Sequence, residues 1–233
     1  MSDNSPIRRS IERVPAAIVD AARKFQASIL ADVGGRRGSL GGRIQPLSKA
    51  MKVAGPAFTV EVRPGDNLMI HAALELAKPG DVIVVDGKGD LSCALTGALM
   101  AAHAQKAGIA GFVIDGAVRD TEDCARGSFP IFAAGANPNG PLKSSAGRIN
   151  WPVSLAGTSV NPGDLIVGDA DGVLVIPPSQ VETAIVNAEA RMAKEAEIKR
   201  RLDDGQTLYD LAGMKTLFEA AGIVEIDAVW SDR

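Results

Sequence analysis

Residues 111–120 read Gly111-Phe-Val-Ile-Asp-Gly-Ala-Val-Arg-Asp120. Phe112, Val113 and Ile114 are aromatic and β-branched, suited to a strand buried on both faces, and Asp115-Gly116 closes the run with turn chemistry. A continuous apolar run between turn residues fits a covered α/β sheet. The charged pair Arg119-Asp120 follows at the carboxyl end of that strand, where open α/β sheets place their ligands.

Outward from this strand one pattern repeats. Residues 53–62 read as a strand, 66–77 as a helix capped by Asp66, and 81–86 as a short buried strand ending in Asp86-Gly87. A helix then starts between Ser92 and Thr96 and runs to Lys106, with Gly108 beyond it. These are two successive β-α-β units. After Asp120 come a short helix to about residue 125, a strand at 130–134 and a Gly/Pro/Asn loop at 136–147, long enough to be functional. Apolar runs at 153–155, 158–160, 165–167 and 173–176 alternate with turns and read as antiparallel strands. Helical patterns occupy 179–202 and 213–221.

Upstream, Ile18, Val19, Ala22, Phe25 and Ile29 recur at helical spacing, which predicts one amphipathic helix over 15–31. Residues 33–49, rich in glycine and carrying Arg36, Arg37 and Arg43, predict a mobile loop on the rim of a site. The expected organisation is a flexible lead-in at 1–14, a core over 15–178 and a helical extension of the same domain at 179–233. Lys78-Pro-Gly-Asp81 and Asn161-Pro-Gly-Asp164 echo one another as turns feeding short strands, without forming a solenoid repeat.

Composition narrows the partners. With 46% hydrophobic and 23% charged residues among 233, the chain has ordinary globular usage, and its net charge of -3 argues against a nucleic-acid surface. Cys93 and Cys124 lack metal-ligand spacing and read as small apolar residues. No signal-peptide core and no apolar run of membrane-spanning length is present, so a cytoplasmic location and no membrane partner are expected.

Gly87-Lys-Gly-Asp-Leu-Ser92 superficially matches a dinucleotide fingerprint. Its third glycine is a serine, and no ribose-binding acid follows at a strand end, so the match is weak. Arg119 offers a planar fork of donors for a carboxylate, and Asp120 a hard oxygen for Mg²⁺ or Mn²⁺. The structural alternative is that Arg119 pairs with a carboxylate while Asp120 caps the next helix. His71, with Asn67 one turn earlier, is a better site candidate than His103. Lys143 fits charge steering better than Schiff-base chemistry.

Val84-Val-Asp-Gly87, Gly97-Ala-Leu-Met100, the 111–120 stretch, Asn161-Pro-Gly-Asp164 and Asp169-Ala-Asp-Gly-Val173 together resemble the RraA-like family over most of 15–205. That resemblance implies a layered β/β/α fold related to swivelling phosphohistidine domains, with mixed sheets, in homo-oligomers, trimers or hexamers. The family holds divalent-metal class II aldolases acting on 4-hydroxy-4-methyl-2-oxoglutarate and 4-carboxy-4-hydroxy-2-oxoadipate. It also holds a non-catalytic regulator of a ribonuclease, so membership alone does not settle function.

In the aldolases an acidic residue precedes Arg-Asp by twenty intervening residues; the Arg binds the pyruvoyl carboxylate and the Asp helps hold the metal. Arg119 and Asp120 match, whereas the acidic position falls on Ala98. The resemblance further implies substrate binding by backbone N–H groups of Gly97, Ala98, Leu99 and Met100, against a packing role for the small residues. Glu195 aligns with a metal carboxylate supplied from an adjacent subunit, against a solvated helical face. The expected function is a Mg²⁺- or Mn²⁺-dependent lyase, a class II pyruvate aldolase cleaving 4-hydroxy-2-oxo acids such as 4-hydroxy-4-methyl-2-oxoglutarate to pyruvate, with oxaloacetate decarboxylation as a related reaction. The alternative is a regulator that binds a protein partner such as a ribonuclease. A methyltransferase is set aside, because no glycine-rich S-adenosylmethionine loop follows a first strand.

Overall fold

The computed structural model describes residues 6–230. In chain order its elements are α1 (Ala16–Ala22), α2 (Ala27–Val33), β1 (Gln45–Pro46), β2 (Val53–Glu61), α3 (Leu68–Leu76), β3 (Val82–Thr96), α4 (Ala98–Lys106), β4 (Gly111–Val118) and α5 (Thr121–Arg126). They continue with β5 (Ile131–Ala136), β6 (Arg148–Ile149), β7 (Val153–Leu155), β8 (Thr158–Val160), β9 (Leu165–Asp169), β10 (Gly172–Ile176), α6 (Pro178–Asp203), α7 (Leu208–Leu211) and α8 (Met214–Ala220).

The main sheet runs β1-β5-β4-β3-β2-β9-β10, with β6 also on β2. Strands β2, β3, β4 and β5 are parallel neighbours, as β-α-β units require, while β1, β6, β9 and β10 pair antiparallel. β2 pairs β9 through Val53–Pro56, β3 from Ala57 onward and β6 at Val60 and Glu61. The first core joins α3, α4 and α5 to one sheet face through Phe58, Ile70, Ile83, Ala104, Ile114 and Cys124. The opposite side is covered by the β7–β8 hairpin, whose Val153, Leu155 and Val160 pack on Val84, Val113 and Phe132. A third cluster seats α1, α2 and the start of α6 on β9 and β10. This is a layered β/β/α arrangement with mixed pairing.

The chain divides between Ala188 and Glu189 into two compact units. The second holds the rest of α6, with Arg200 paired to Glu197 and Asp204, and the helices α7 and α8, joined by an edge-on contact of Tyr209 with Phe218. Among the described residues no helix is long and apolar enough to cross a membrane.

Five sequence expectations change. The helix expected over 15–31 is two helices, because the chain turns after Ala22 and the Ala27 N–H donates to the buried Asp169 Oδ2 at 2.8 Å, a cap from far along the chain. The supposed loop 33–49 buries Leu40 and Ile44, adds β1 to the β5 edge and sends Arg43 onto Asp115 with two hydrogen bonds. The strand expected at 81–86 continues to Thr96 through irregular register at 86–96. Lys88 takes a left-handed φ of 59° there and bonds Asp86 and Glu61 instead of opening a phosphate loop, which disposes of the dinucleotide reading. Asp66 precedes the N-cap, Asn67; its Oδ1 accepts the Leu68 N–H and its Oδ2 the amides of Ser144 and Ser145. Residues 1–5 of the lead-in lie outside the described residues. From residue 7 the chain bridges Ile149, places Arg13 on Asp81 and buries Val14.

Candidate functional site

Parallel pairing puts the carboxyl ends of β3 and β4 side by side, with Thr96 in register with Val118. The Arg119 N–H continues the ladder by donating to Thr96 O at 3.0 Å. Gly97-Ala98 and Arg119-Asp120, distant in sequence, therefore meet across one interstrand spacing. Asp120 turns the chain with φ 54°, a left-handed conformation that Asp tolerates. It occupies the N-cap position of α5, but its side chain makes no cap there. Instead Asp120 Oδ2 accepts the Ala98 N–H at 3.1 Å and caps α4.

Gly97 makes this approach possible. A Cβ there would lie 2.6 Å from Asp120 Oδ2 and 2.9 Å from Arg119 Cγ, so the packing and substrate-loop readings of Gly97-Ala98 describe one geometry. The N–H groups of Leu99 and Met100 have no acceptor among the described residues, as expected in the first turn of a helix. Arg119 is 44% exposed; its ionic neighbour is Asp120, at 3.8 Å. Of the structural alternative, the ion pair of Arg119 with a carboxylate is present, to Asp120, whereas Asp120 makes no side-chain cap on the helix that follows. Two free amides, a helix N-terminus and a guanidinium thus share one surface and suit a carboxylate ligand.

The surroundings are partly polar and unsatisfied. Thr96 Oγ1 and Asn67 Oδ1 are buried without a partner, and Asn67 Nδ2 donates to Leu95 O and Met100 Sδ, so both residues abut the 97–100 segment. Thr96 carries no motif and was invisible in the sequence; only its strand-end position could have flagged it. The 136–147 loop comes up to Arg119, since a Cβ on Gly140 would sit 3.1 Å from an Arg119 terminal nitrogen. Cys93 Sγ lies 2.8 Å from Gly140 O, and burial, then Asp90, push its thiol pKa up against the pull of Arg119. A protonated thiol is no nucleophile, and Cys124 is likewise pushed up by burial. The His71 pKa is lowered by burial, then by Lys143 and His103, which groups these three basic residues.

Three further acids, Asp86, Asp90 and Asp115, lie along β3 and β4, and two of them are committed. Asp86 holds Lys88 at 2.6 Å, and Asp115, 1% exposed, holds Arg43 at 2.7 Å and the Ala156 amide at 3.0 Å. Asp90 bonds Ser92.

A family profile described as RraA-like, Aldolase/RraA, matches residues 15–175. The chain belongs to the RraA-like family. It is 45% identical over 161 residues to a Halalkalibacterium halodurans protein named "Putative 4-hydroxy-4-methyl-2-oxoglutarate aldolase", covering 69% of this chain and 77% of that one. An uncharacterised Methanocaldococcus jannaschii protein is 35% identical over 195 residues, covering 83% and 92%. Among solved structures, Streptomyces coelicolor RraAS2, described as an unusual member of the RNase ES inhibitor RraA protein family, superposes with a TM-score of 0.74 at 29% identity, over 82% of this chain and 99% of that one.

Within this RraA-like frame the side chains can be tested against a divalent cation. Among the described residues no three His, Cys, Asp or Glu side chains gather into a metal cage. Asp120 Oδ1 nevertheless accepts no hydrogen bond among the described residues, and its side chain is 42% exposed. Mg²⁺ commonly takes one or two carboxylates and fills its remaining positions with water and substrate oxygens, so this donor fits. Glu195 lies in the second compact unit, where its Oε1 accepts from Arg191 Nε at 2.9 Å.

Proposed function

We propose that this RraA-like protein is a Mg²⁺- or Mn²⁺-dependent carbon–carbon lyase that releases pyruvate from small 2-oxo acids. The observation that supports it most is the half-exposed Arg119 beside the unpaired Leu99 and Met100 amides, an anion cradle at the carboxyl end of two parallel strands. Homologues named as aldolases point to the same chemistry.

Arg119 binds the substrate's 1-carboxylate, and the α4 amides orient it so that the 2-oxo group faces Asp120. Asp120 would supply the protein carboxylate that holds the cation, and Glu195 of an adjacent copy would supply a second once released from Arg191. When bound, the cation polarises the 2-oxo group and stabilises the charge that develops as pyruvate departs.

The two candidate reactions differ in what they ask of the protein. Retro-aldol cleavage of a 4-hydroxy-2-oxo acid needs a base for the 4-hydroxyl proton, and Ala98 stands where the family aldolases carry an acid. Decarboxylation of a β-keto acid such as oxaloacetate needs no such base. The site of a single chain therefore favours decarboxylation.

The test is pyruvate release from oxaloacetate and from 4-hydroxy-4-methyl-2-oxoglutarate, with Mg²⁺ or EDTA, in wild type, Arg119→Ala and Ala98→Asp. Wild type is expected to prefer oxaloacetate, Arg119→Ala to lose both activities, and Ala98→Asp to gain aldol cleavage. Absence of metal-dependent turnover on both substrates would sink the lyase reading. It would leave the second one, a regulator of a protein partner such as a ribonuclease, which Ala98 and the 84% exposed Leu99 favour.

A further inference from the structure

The Pro-Gly-Asp turn occurs three times in this chain, ending in Asp66, Asp81 and Asp164, and the three carboxylates are satisfied differently. At Asp66, Oδ1 accepts the Leu68 amide and Oδ2 the amides of Ser144 and Ser145. At Asp81, Oδ2 accepts the Lys78 amide at 2.8 Å, and the carboxylate takes two hydrogen bonds from the Arg13 guanidinium, at 2.7 and 2.8 Å. At Asp164, Oδ2 accepts the Asn161 amide at 2.8 Å and Asn161 Nδ2 at 3.4 Å. Among the described residues nothing donates to Asp164 Oδ1 and no cation pairs with it, although the residue is 3% exposed.

Asp164 lines a cavity of about 780 Å³, framed by the end of α2, the turn at 34–38, β8, the end of β10 and the first turns of α6. Only two of its lining residues are charged, Asp164 and Arg37. Arg37 is exposed, with no hydrogen bond or ion pair among the described residues. The rest of the wall is neutral, with Ser159, Asn161, Gln180 and Thr183 set beside apolar residues such as Leu174 and Ile176. None of Gly97–Met100, Arg119 or Asp120 contributes to it.

A buried carboxylate with neither a counter-charge nor enough amide donors is unfavourable, so it is protonated or takes a donor from outside. Burial does push the Asp164 pKa up, against the two Asn161 bonds. The other two turns satisfy the same carboxylate from within the chain, Asp66 with the amides of a distant loop and Asp81 with a guanidinium. At Asp164 neither reaches Oδ1, and a cavity of ligand size stands in that place.

We propose that this cavity is a second small-molecule site, which takes a free α-amino acid or a similar zwitterionic amine. The ligand ammonium sits on Asp164 Oδ1, its carboxylate pairs with Arg37, and the hydroxyl and amide side chains of the wall receive its polar groups. Opposite charges at two places in one cavity select against simple amines and simple acids alike.

The test uses the full chain without any turnover measurement, so its outcome is independent of the lyase reading. Each standard amino acid, at about 10 mM, is screened for a rise in Tm, and positives are followed by calorimetric titration. At least one is expected to bind saturably. Arg37→Ala, an exposed change, is expected to weaken binding about thirtyfold, and Asp164→Asn at least as much. The decarboxylated amine of the same ligand should bind wild type and Arg37→Ala equally. Thr183→Trp, at an exposed helix position on the cavity wall, should block binding if Asp164→Asn fails to fold. No saturable binding by any amino acid, or binding unaffected by Arg37→Ala and Thr183→Trp, overturns the proposal.

Discussion

An alanine at position 97 separates packing at the site from packing of the fold. Gly97 has φ -163° and ψ -166°, extended backbone open to any residue, so the substitution introduces no conformational strain. The new methyl would meet Asp120 Oδ2 at 2.6 Å and Arg119 Cγ at 2.9 Å, against roughly 3.5 Å or more for comfortable contact. Both side chains must therefore retreat by about 1 Å. Each is about half-exposed and can swing into solvent, so the fold loses chiefly the Asp120 cap on α4, worth about 1 kcal/mol. Glycine replacement returns roughly 0.4–1 kcal/mol by restricting the unfolded chain. The net stability change is expected to stay within about 1 kcal/mol. Turnover responds differently, because a 1 Å misplacement of positioning groups costs on the order of 100-fold. Pyruvate release coupled to lactate dehydrogenase gives the rate, and urea denaturation gives the stability. Unchanged turnover in a folded Gly97→Ala protein would refute the assignment of Arg119 and Asp120 to the site.

Other expectations concern the buried charges. Arg43→Ala strands Asp115 with only the Ala156 amide and should lower urea stability by about 3 kcal/mol, close to the cost of breaking a buried pair. Asp81→Asn should cost about 2 kcal/mol, whereas Asp164→Asn should be neutral or stabilising, because it removes a lone buried charge and keeps an acceptor for Asn161; parallel thermal melts compare them. Burial tends to raise the Asp66 pKa, but the amides of Leu68, Ser144 and Ser145 outweigh it and hold it below its ordinary 3.8. Its contribution is therefore present above pH 3.8 and is lost as pH falls through the lower folded-state value; Asp66→Ala should flatten that acid limb in a stability-versus-pH series.

The β-α-β succession over 53–134 was legible because its strands are unbroken apolar runs and its boundaries are Asp-Gly and Gly. What escaped was non-local. The 87–96 continuation of β3 is hidden by an irregular register, and Leu95 packs where Cβ atoms of Gly87 and Gly116 would stand, a relation no periodicity reveals. Asp169 capping α2 breaks a helix that is continuous by pattern. At the site, adjacency of Arg119 and Asp120 was evident, and the Gly97–Met100 loop came through resemblance. The bond from Ala98 to Asp120 was not legible, since a residue placed to cap its own helix turned to the one before it.

Because the Arg119 amide is tied to Thr96 O, the floor of the site is an extension of the sheet ladder between β3 and β4. Opening it requires breaking interstrand bonds at the centre of the molecule, so amide exchange there should be among the slowest in the chain. Such a floor holds its shape before anything binds and cannot adapt to different acids. Adaptation falls to the wall, the glycine- and proline-rich 136–147 segment that leans on Arg119 and is pinned at its far end by Asp66. In relatives that share this floor, differences in selectivity should therefore track that segment's length and composition.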